Sequence, residues 1–248
     1  MPRLYPIFSI VGFLVLWGVS SSLINDVLFP GPQEVVLKII SEAQSGELMK
    51  HLAITLWRVT ASFIIAMAIG IGLGLLMGRN QIANGLFDPW LVFFLNIPAL
   101  VIIFLCYIWG GLTEMAAITA VVINKVPNVA VMLREGARAL SAELEEMAQS
   151  FRFTRMQRYK HIIFPQLQPF IAAAGRSGLS LIWKIVLVVE FIGRSDGVGF
   201  QLHTYFQLFD VAAIFAYSVA FIVIMLVIEI LFVQPWERYA TRWRPEPA

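Results

Sequence analysis

Charge is scarce in this chain. Asp, Glu, Lys and Arg make up 14% of its 248 residues, where soluble globular domains usually carry about 25%. With 18 basic against 16 acidic residues the net charge is only +2, which excludes a broadly basic nucleic-acid binder. The single cysteine, Cys106, stands in an apolar run. No intrachain disulfide can form, so a disulfide-stapled secreted module is excluded. His51, His161 and His203 are far apart in the sequence and offer no metal-ligand spacing. There is no G-x-x-x-x-G-K-[ST], hence no phosphate-cradling loop. No triad or carboxylate pair has recognisable spacing, and nothing argues for an enzyme. The period-two alternation of a membrane barrel is also missing.

What fills the chain is apolar sequence, 59% of all residues. Six runs stand out: Leu4 to Asn25, Val59 to Gly78, Pro89 to Thr113, Ala116 to Leu133, Leu167 to Ile192 and Val211 to Val233. About 20 residues at about 1.5 Å rise cross a hydrocarbon core of about 30 Å. The expected fold is therefore all-α, a polytopic membrane bundle of about six transmembrane helices forming a single domain over residues 1–248. The first run is too long for the apolar part of a signal peptide, and Ile24-Asn25-Asp26 is a poor cleavage site, so it reads as a retained span. With the N-terminus inside, eleven Lys and Arg fall on the inner side, Arg3 and Arg244 among them, against Lys38, Lys50 and Arg194 outside. That bias puts both termini in the cytoplasm. Trp236, Tyr239 and Trp243 beside the C-terminal arginines suit an inner-face anchor.

Two connecting stretches carry structure of their own. "PGPQEVVLKIISEAQSG" places Val35, Val36, Ile39, Ile40 and Ala43 on one helical face, an amphipathic helix on the outer surface with Glu34 and Lys38 as an i,i+4 pair. Between the fourth and fifth runs lie 33 mostly polar residues, 134–166, far more than a plain connection needs. Ser141 is a helix N-cap followed by Glu143, Glu145 and Glu146. Thr154 and Gln157 then form a capping box for a second helix ending before Pro165. The result is helix, turn, helix with Phe151 and Phe153 at the turn. A charged, solvated face is the plainest account, but aromatic residues at a tip favour a docking surface.

Within the second run Ala66, Gly70, Gly74 and Gly78 recur every fourth residue, a stripe suited to close helix packing. Charges inside spans are functional candidates by default. Arg58 sits near the outer end of its span and is expected to snorkel. Arg176 and Glu229 are expected to pair structurally. Lys125, Asn128, Lys184, Glu190 and Asn96 are candidates for a polar substrate path, with Asn96 and Pro98 kinking the third run and Glu190 an imperfect partner for Lys184.

The loop "EMAQSFRFTRMQRYKHIIFP", Glu146 to Pro165, resembles the signature of permease subunits of binding-protein-dependent ABC importers. Glu146, Ala148 and Ile162 match the pattern and Pro165 falls at its distance. Met147 replaces Ala, Phe164 replaces an aliphatic, and Arg152 stands where the family has Gly, so either a positive-φ turn or a continued helix is open there. "FPGPQEV", "SGELMKHLAITLWRVTASF", "GIGLGLLMG", "NIPAL", "GLSLIW", "VVEFIG" and "GVGFQL" are similar to the taurine, sulfonate, nitrate and bicarbonate subfamily, in family order over nearly the whole chain. The resemblance implies a type I importer permease in the bacterial inner membrane, moving a small polar or anionic solute from periplasm to cytoplasm. It implies a second copy of the chain, cytoplasmic ATPase subunits holding ATP and Mg, and a periplasmic solute-binding protein. The ATPase would seat Glu146, Met147, Ala148, Phe151, Arg152, Phe153 and Pro165. A cofactor or metal on this chain, or a nucleic-acid partner, is not expected. A self-sufficient secondary transporter or channel, and a non-transporting membrane scaffold, stay open on the residues alone.

Overall fold

The computed structural model describes residues 5–242; Arg3, Leu4, Trp243 and Arg244 lie outside the described residues. Every regular element within them is helical: α1 (Tyr5–Ile24), α2 (Pro32–Gln44), α3 (Glu47–Arg79), α4 (Gln81–Asn96), α5 (Ala99–Gly110), α6 (Glu114–Arg138), α7 (Ala142–Ser150), α8 (Arg155–Arg158), α9 (Phe164–Gly193), α10 (Val198–Gln207), α11 (Val211–Ile228) and α12 (Gln234–Thr241). Single π-helical turns, Tyr159–Ile163 and Glu229–Val233, join α8 to α9 and α11 to α12. The chain is a membrane-integral helical protein. Four continuous helical stretches, Glu47–Arg79, Glu114–Arg138, Arg155–Gly193 and Val211–Thr241, are long and apolar enough to cross a bilayer, and α4 and α5 meet that test only together, across a 99° bend.

Several features depart from the expected spans. The third apolar run is not one straight crossing. At Asn96 the side-chain amide bonds the Val92 carbonyl at 2.7 Å, and Pro98, which has no N–H to continue the ladder, caps α5. The helix breaks there. The second span begins a dozen residues early, at Glu47, because Gly46 at φ +82° ends the preceding turn and the polar His51, Thr55 and Arg58 are buried by neighbours. The first run forms α1, an apolar helix of 20 residues.

The helices sort into two compact units, one of residues 1–56 and 190–225, the other of 57–189 and 226–248. In the first unit α2 is tied by charge: Lys38 pairs with Glu42 at 3.6 Å and with Asp210 at 3.0 Å. Glu34, expected to pair with Lys38, instead accepts from the Gly31 N–H at 3.3 Å and closes the N-terminus of α2. Tyr205 and Tyr217 both donate to Glu42. Burial, helped by the Glu42 carboxylate, pushes the Tyr205 phenol up, so it stays a donor.

The second unit is organised by the glycine stripe of α3. A Cβ on Gly70 would lie 2.5 Å from Val129 Cβ, one on Gly74 2.5 Å from the Ala130 carbonyl, and one on Gly78 2.5 Å from Ala137 Cβ. Each glycine therefore lets α6 approach where any larger residue would collide, as the spacing leads one to expect. Met67, Val129, Leu133, Ile163, Leu167 and Ala174 form the buried cluster around this contact.

Candidate functional site

The 134–166 segment is built by short-range chemistry. Ser141 Oγ accepts from the Leu144 N–H at 3.3 Å, capping α7. Thr154 Oγ1 accepts from the Gln157 N–H at 3.3 Å while Gln157 Oε1 accepts from the Thr154 N–H at 2.9 Å. Both caps stand where the sequence puts them. The turn between them is closed by two reverse bonds. The Arg152 N–H donates to the Gln149 carbonyl at 3.0 Å, and the Phe153 N–H donates to the Ala148 carbonyl at 2.9 Å. This is a Schellman end, whose pivotal residue takes the left-handed conformation that glycine favours. Here the pivot is Arg152, at φ +53°. The positive-φ turn is kept without glycine, and the helix does not continue through it.

At the tip Phe151 is 72% exposed and Met156 75% exposed. Met147, Glu146 and Tyr159 are exposed beside them, Phe153 is half-buried, and Ala148 is buried beneath. The base is anchored. The Ser141 N–H donates to Gln166 Oε1 at 2.9 Å. Glu145 pairs with Arg79 at 3.3 Å and also with Arg158. The expected end before Pro165 is not observed. The Phe164 N–H bonds the Tyr159 carbonyl through the π turn, so the helix steps past Pro165, which itself has no N–H to place, and runs on to Gly193.

The interior residues separate by environment. Arg58 does not snorkel. It is 2% exposed and grips Glu114 with two bonds, Nε to Oε1 at 2.7 Å and Nη2 to Oε2 at 2.8 Å. Arg176 pairs with Glu229 at 3.1 Å, as expected, and with Glu237 at 2.6 Å. Lys125 is 2% exposed and Asn128 half-buried. Lys184 is exposed and lies over the Trp183 ring at 5.5 Å. Asn96 is exposed at the bend. Glu190 does not pair with Lys184. It is fully buried, accepting from Thr55 Oγ1 at 2.9 and 2.8 Å and from the Gly199 N–H at 2.9 Å.

That last contact belongs to an arrangement the sequence reading missed. The first amides of α10 have no intrahelical acceptors. Side chains supply them in succession: His51 Nδ1 accepts from the Gly197 N–H at 2.9 Å, Thr55 Oγ1 from Val198 at 2.8 Å, and Glu190 from Gly199. The positive end of the helix dipole faces the Glu190 carboxylate. Gly197, at φ +101°, lies so close over that carboxylate that a Cβ would strike it. The i,i+4 spacing of His51 and Thr55 was the available signal.

The model of the family described as "Binding-protein-dependent transport system inner membrane component" matches residues 70–234. The putative aliphatic sulfonates transport permease protein SsuC of Bacillus subtilis is 28% identical over 233 residues, 93% of this chain and 84% of that protein. The taurine transport system permease protein TauC of Escherichia coli is 27% identical, covering 94% of this chain and 86% of its own length. The bicarbonate transport system permease protein CmpB of Synechococcus elongatus is 26% identical, with 82% and 77% covered. Among solved structures, an inward-facing form of the MetNI methionine ABC transporter aligns at TM-score 0.65 with 18% identity, over 76% of this chain and 93% of that one. A bacterial ABC transporter involved in the import of the acidic polysaccharide alginate aligns at 0.66 with 13% identity, over 98% of both chains.

Proposed function

Because the chain belongs to the family of inner-membrane components of binding-protein-dependent transport systems, we propose that its 134–166 segment seats a cytoplasmic ATPase and that two copies of the chain enclose the solute path. The chain is the membrane-spanning subunit of an ATP-driven ABC importer, a transport subunit rather than an enzyme. ATP and Mg bind to the partner ATPase in this reading. A periplasmic binding protein delivers the solute from outside, and the excess of Lys and Arg on one side sets both termini in the cytoplasm of a bacterium.

The observation that carries the coupling role is the tip itself: two side chains more than 70% exposed on a turn fixed from both sides by capped helices. Apolar side chains in that position gain by entering a groove. The base of the segment is tied by Gln166 and by Glu145 to Arg79, so displacement of the tip is passed to α3 and to the start of α9. Glu146, Met147, Arg152, Phe153 and Pro165 complete the seat in this proposal. Lys125, with Asn128, Lys184, Asn96 and Glu190, remains the proposed polar set along the path, and Glu190 acts there through the end of α10. Sulfonates, taurine and bicarbonate, in the relatives' names, share an oxyanion, and the solute proposed here does too.

Phe151→Asp and Glu146→Lys are expected to leave membrane insertion intact while ATP hydrolysis by the assembled complex no longer drives uptake. Uptake at the normal rate with both changes would overturn the assignment.

A further inference from the structure

Inside the second unit, Ser62 and Lys125 make no hydrogen bond or ion pair among the described residues. Ser62 is fully buried and its Oγ makes no hydrogen bond. Lys125 is 2% exposed, and among the described residues no carboxylate or hydrogen-bond acceptor faces its ammonium. Three cations elsewhere in the unit's spans are differently placed: Arg58 grips Glu114, Arg176 grips Glu229 and Glu237, and Lys184 lies exposed over Trp183.

Helix register sets these two groups at neighbouring levels. Ser62 belongs to the four-residue stripe that continues through Ala66 to Gly70, Gly74 and Gly78. Along that stripe Gly70 meets Val126 and Val129, Gly74 meets Ala130 and Leu133, and Gly78 meets Arg134 and Ala137. The helices run parallel and advance together, so Ala66 falls level with Lys125 and Ser62 one turn before it. Long side chains on a helix lean toward its N-terminus, which carries the ammonium toward the level of Ser62. Gly178 of α9 stands on the third side of the lysine. A Cβ there would lie 3.1 Å from Lys125 Cε, 3.7 Å from the ring of Phe63 and 3.9 Å from Lys125 Nζ. The lack of a side chain at Gly178 is what admits the Lys125 stem there, beside the ring of Phe63, the residue that follows Ser62.

We propose that Ser62 and Lys125 form an anion station between α3, α6 and α9 that receives the sulfonate or carboxylate head of the transported solute. It rests on the transport reading above and specifies where the solute's charge is held. An ammonium withdrawn from water is costly without a counter-ion. Its three N–H donors and the Ser62 hydroxyl together match an oxygen-rich anion, which takes several charge-assisted bonds at once. Both residues are buried in the present conformation, so the anion enters when the helices part and is released when they close. The competing account is a neutral lysine accepting from Ser62, and the two accounts differ in what arginine does at position 125, since a guanidinium cannot give up its proton.

The test uses the permease co-expressed with its ATPase, purified without nucleotide, and follows melting temperature in sodium methanesulfonate or sodium acetate against sodium chloride at equal ionic strength. The wild type and Lys125→Arg are expected to be stabilised by the oxyanions. Ser62→Ala and Lys125→Met are expected to bind them roughly tenfold to a hundredfold more weakly, the factor attached to losing a hydrogen bond to a charged group. An equal response of Lys125→Met, loss of the response in Lys125→Arg, or no response in the wild type overturns the station. The titration needs no ATP hydrolysis. A complex that retains its ATPase but ignores the anions therefore refutes the station alone, whereas a permease that never associates with an ATPase refutes the transport reading.

Discussion

Arg152 occupies a backbone conformation that disfavours any side chain, at about 1 kcal/mol or more for a residue with a Cβ. The turn holds because its two reverse bonds and the caps of α7 and α8 fix the residues on either side. Arg152→Gly is expected to stabilise the turn by about 1 kcal/mol, roughly a fivefold rise in hydrogen-exchange protection of the Phe153 amide. Arg152→Val is expected to lower it. Equal protection in all three would mean that the positive φ carries no strain. The caps themselves were legible in the sequence, since Ser141, Thr154 and Gln157 act on amides three residues away. Arg58 was not, because its partner Glu114 is 56 positions distant; a lone arginine near a span end gives no sign of whether a carboxylate will be folded against it.

Among the elements, the α3 stripe shows what periodicity can and cannot convey. Small residues every fourth position identify a packing face, and the structure puts α6 on it. The partner helix was not readable, since any span offers an apolar ridge. Gly74→Leu is expected to collide with the Ala130 carbonyl and Leu133 and to cost about 1–3 kcal/mol by overpacking, seen as a lower melting temperature and reduced yield of assembled complex. Gly72, which has open space around a Cβ, is the control: Gly72→Leu is expected to leave both unchanged. The bend at Ile97 and Pro98 was foreseeable as a kink from Asn96 and Pro98. Its 99° extent was not, because how far a broken helix turns depends on what packs against each half.

For the whole molecule, the count of apolar runs located the spans and overstated their uniformity. Four helical stretches are long and apolar enough to cross, two of them through a π turn, while the third run is broken by a 99° bend. Much of α1, α4 and α5 exposes large apolar side chains, Phe13, Leu23, Trp90, Phe93 and Trp109 among them, surface that lipid or a second copy must cover. If the transporter contains two identical permeases, a chain with one affinity tag co-expressed with a differently tagged chain should co-purify through either tag in mild detergent. Recovery of one tag only, with ATPase still bound, would exclude the homodimer.

The contact of Gly197 over the Glu190 carboxylate also constrains how the chain can change by mutation. Any other residue at 197 meets that carboxylate and must also adopt φ +101°, so the step is blocked twice while Glu190 stands. Shortening Glu190 first removes an acceptor from the Gly199 amide and from Thr55. Both single steps carry a penalty, and His51 and Thr55 hold the two amides just before that of Gly199. These four positions, scattered over nearly 150 residues of chain, are therefore expected to change together, and divergent relatives should differ at all of them or at none.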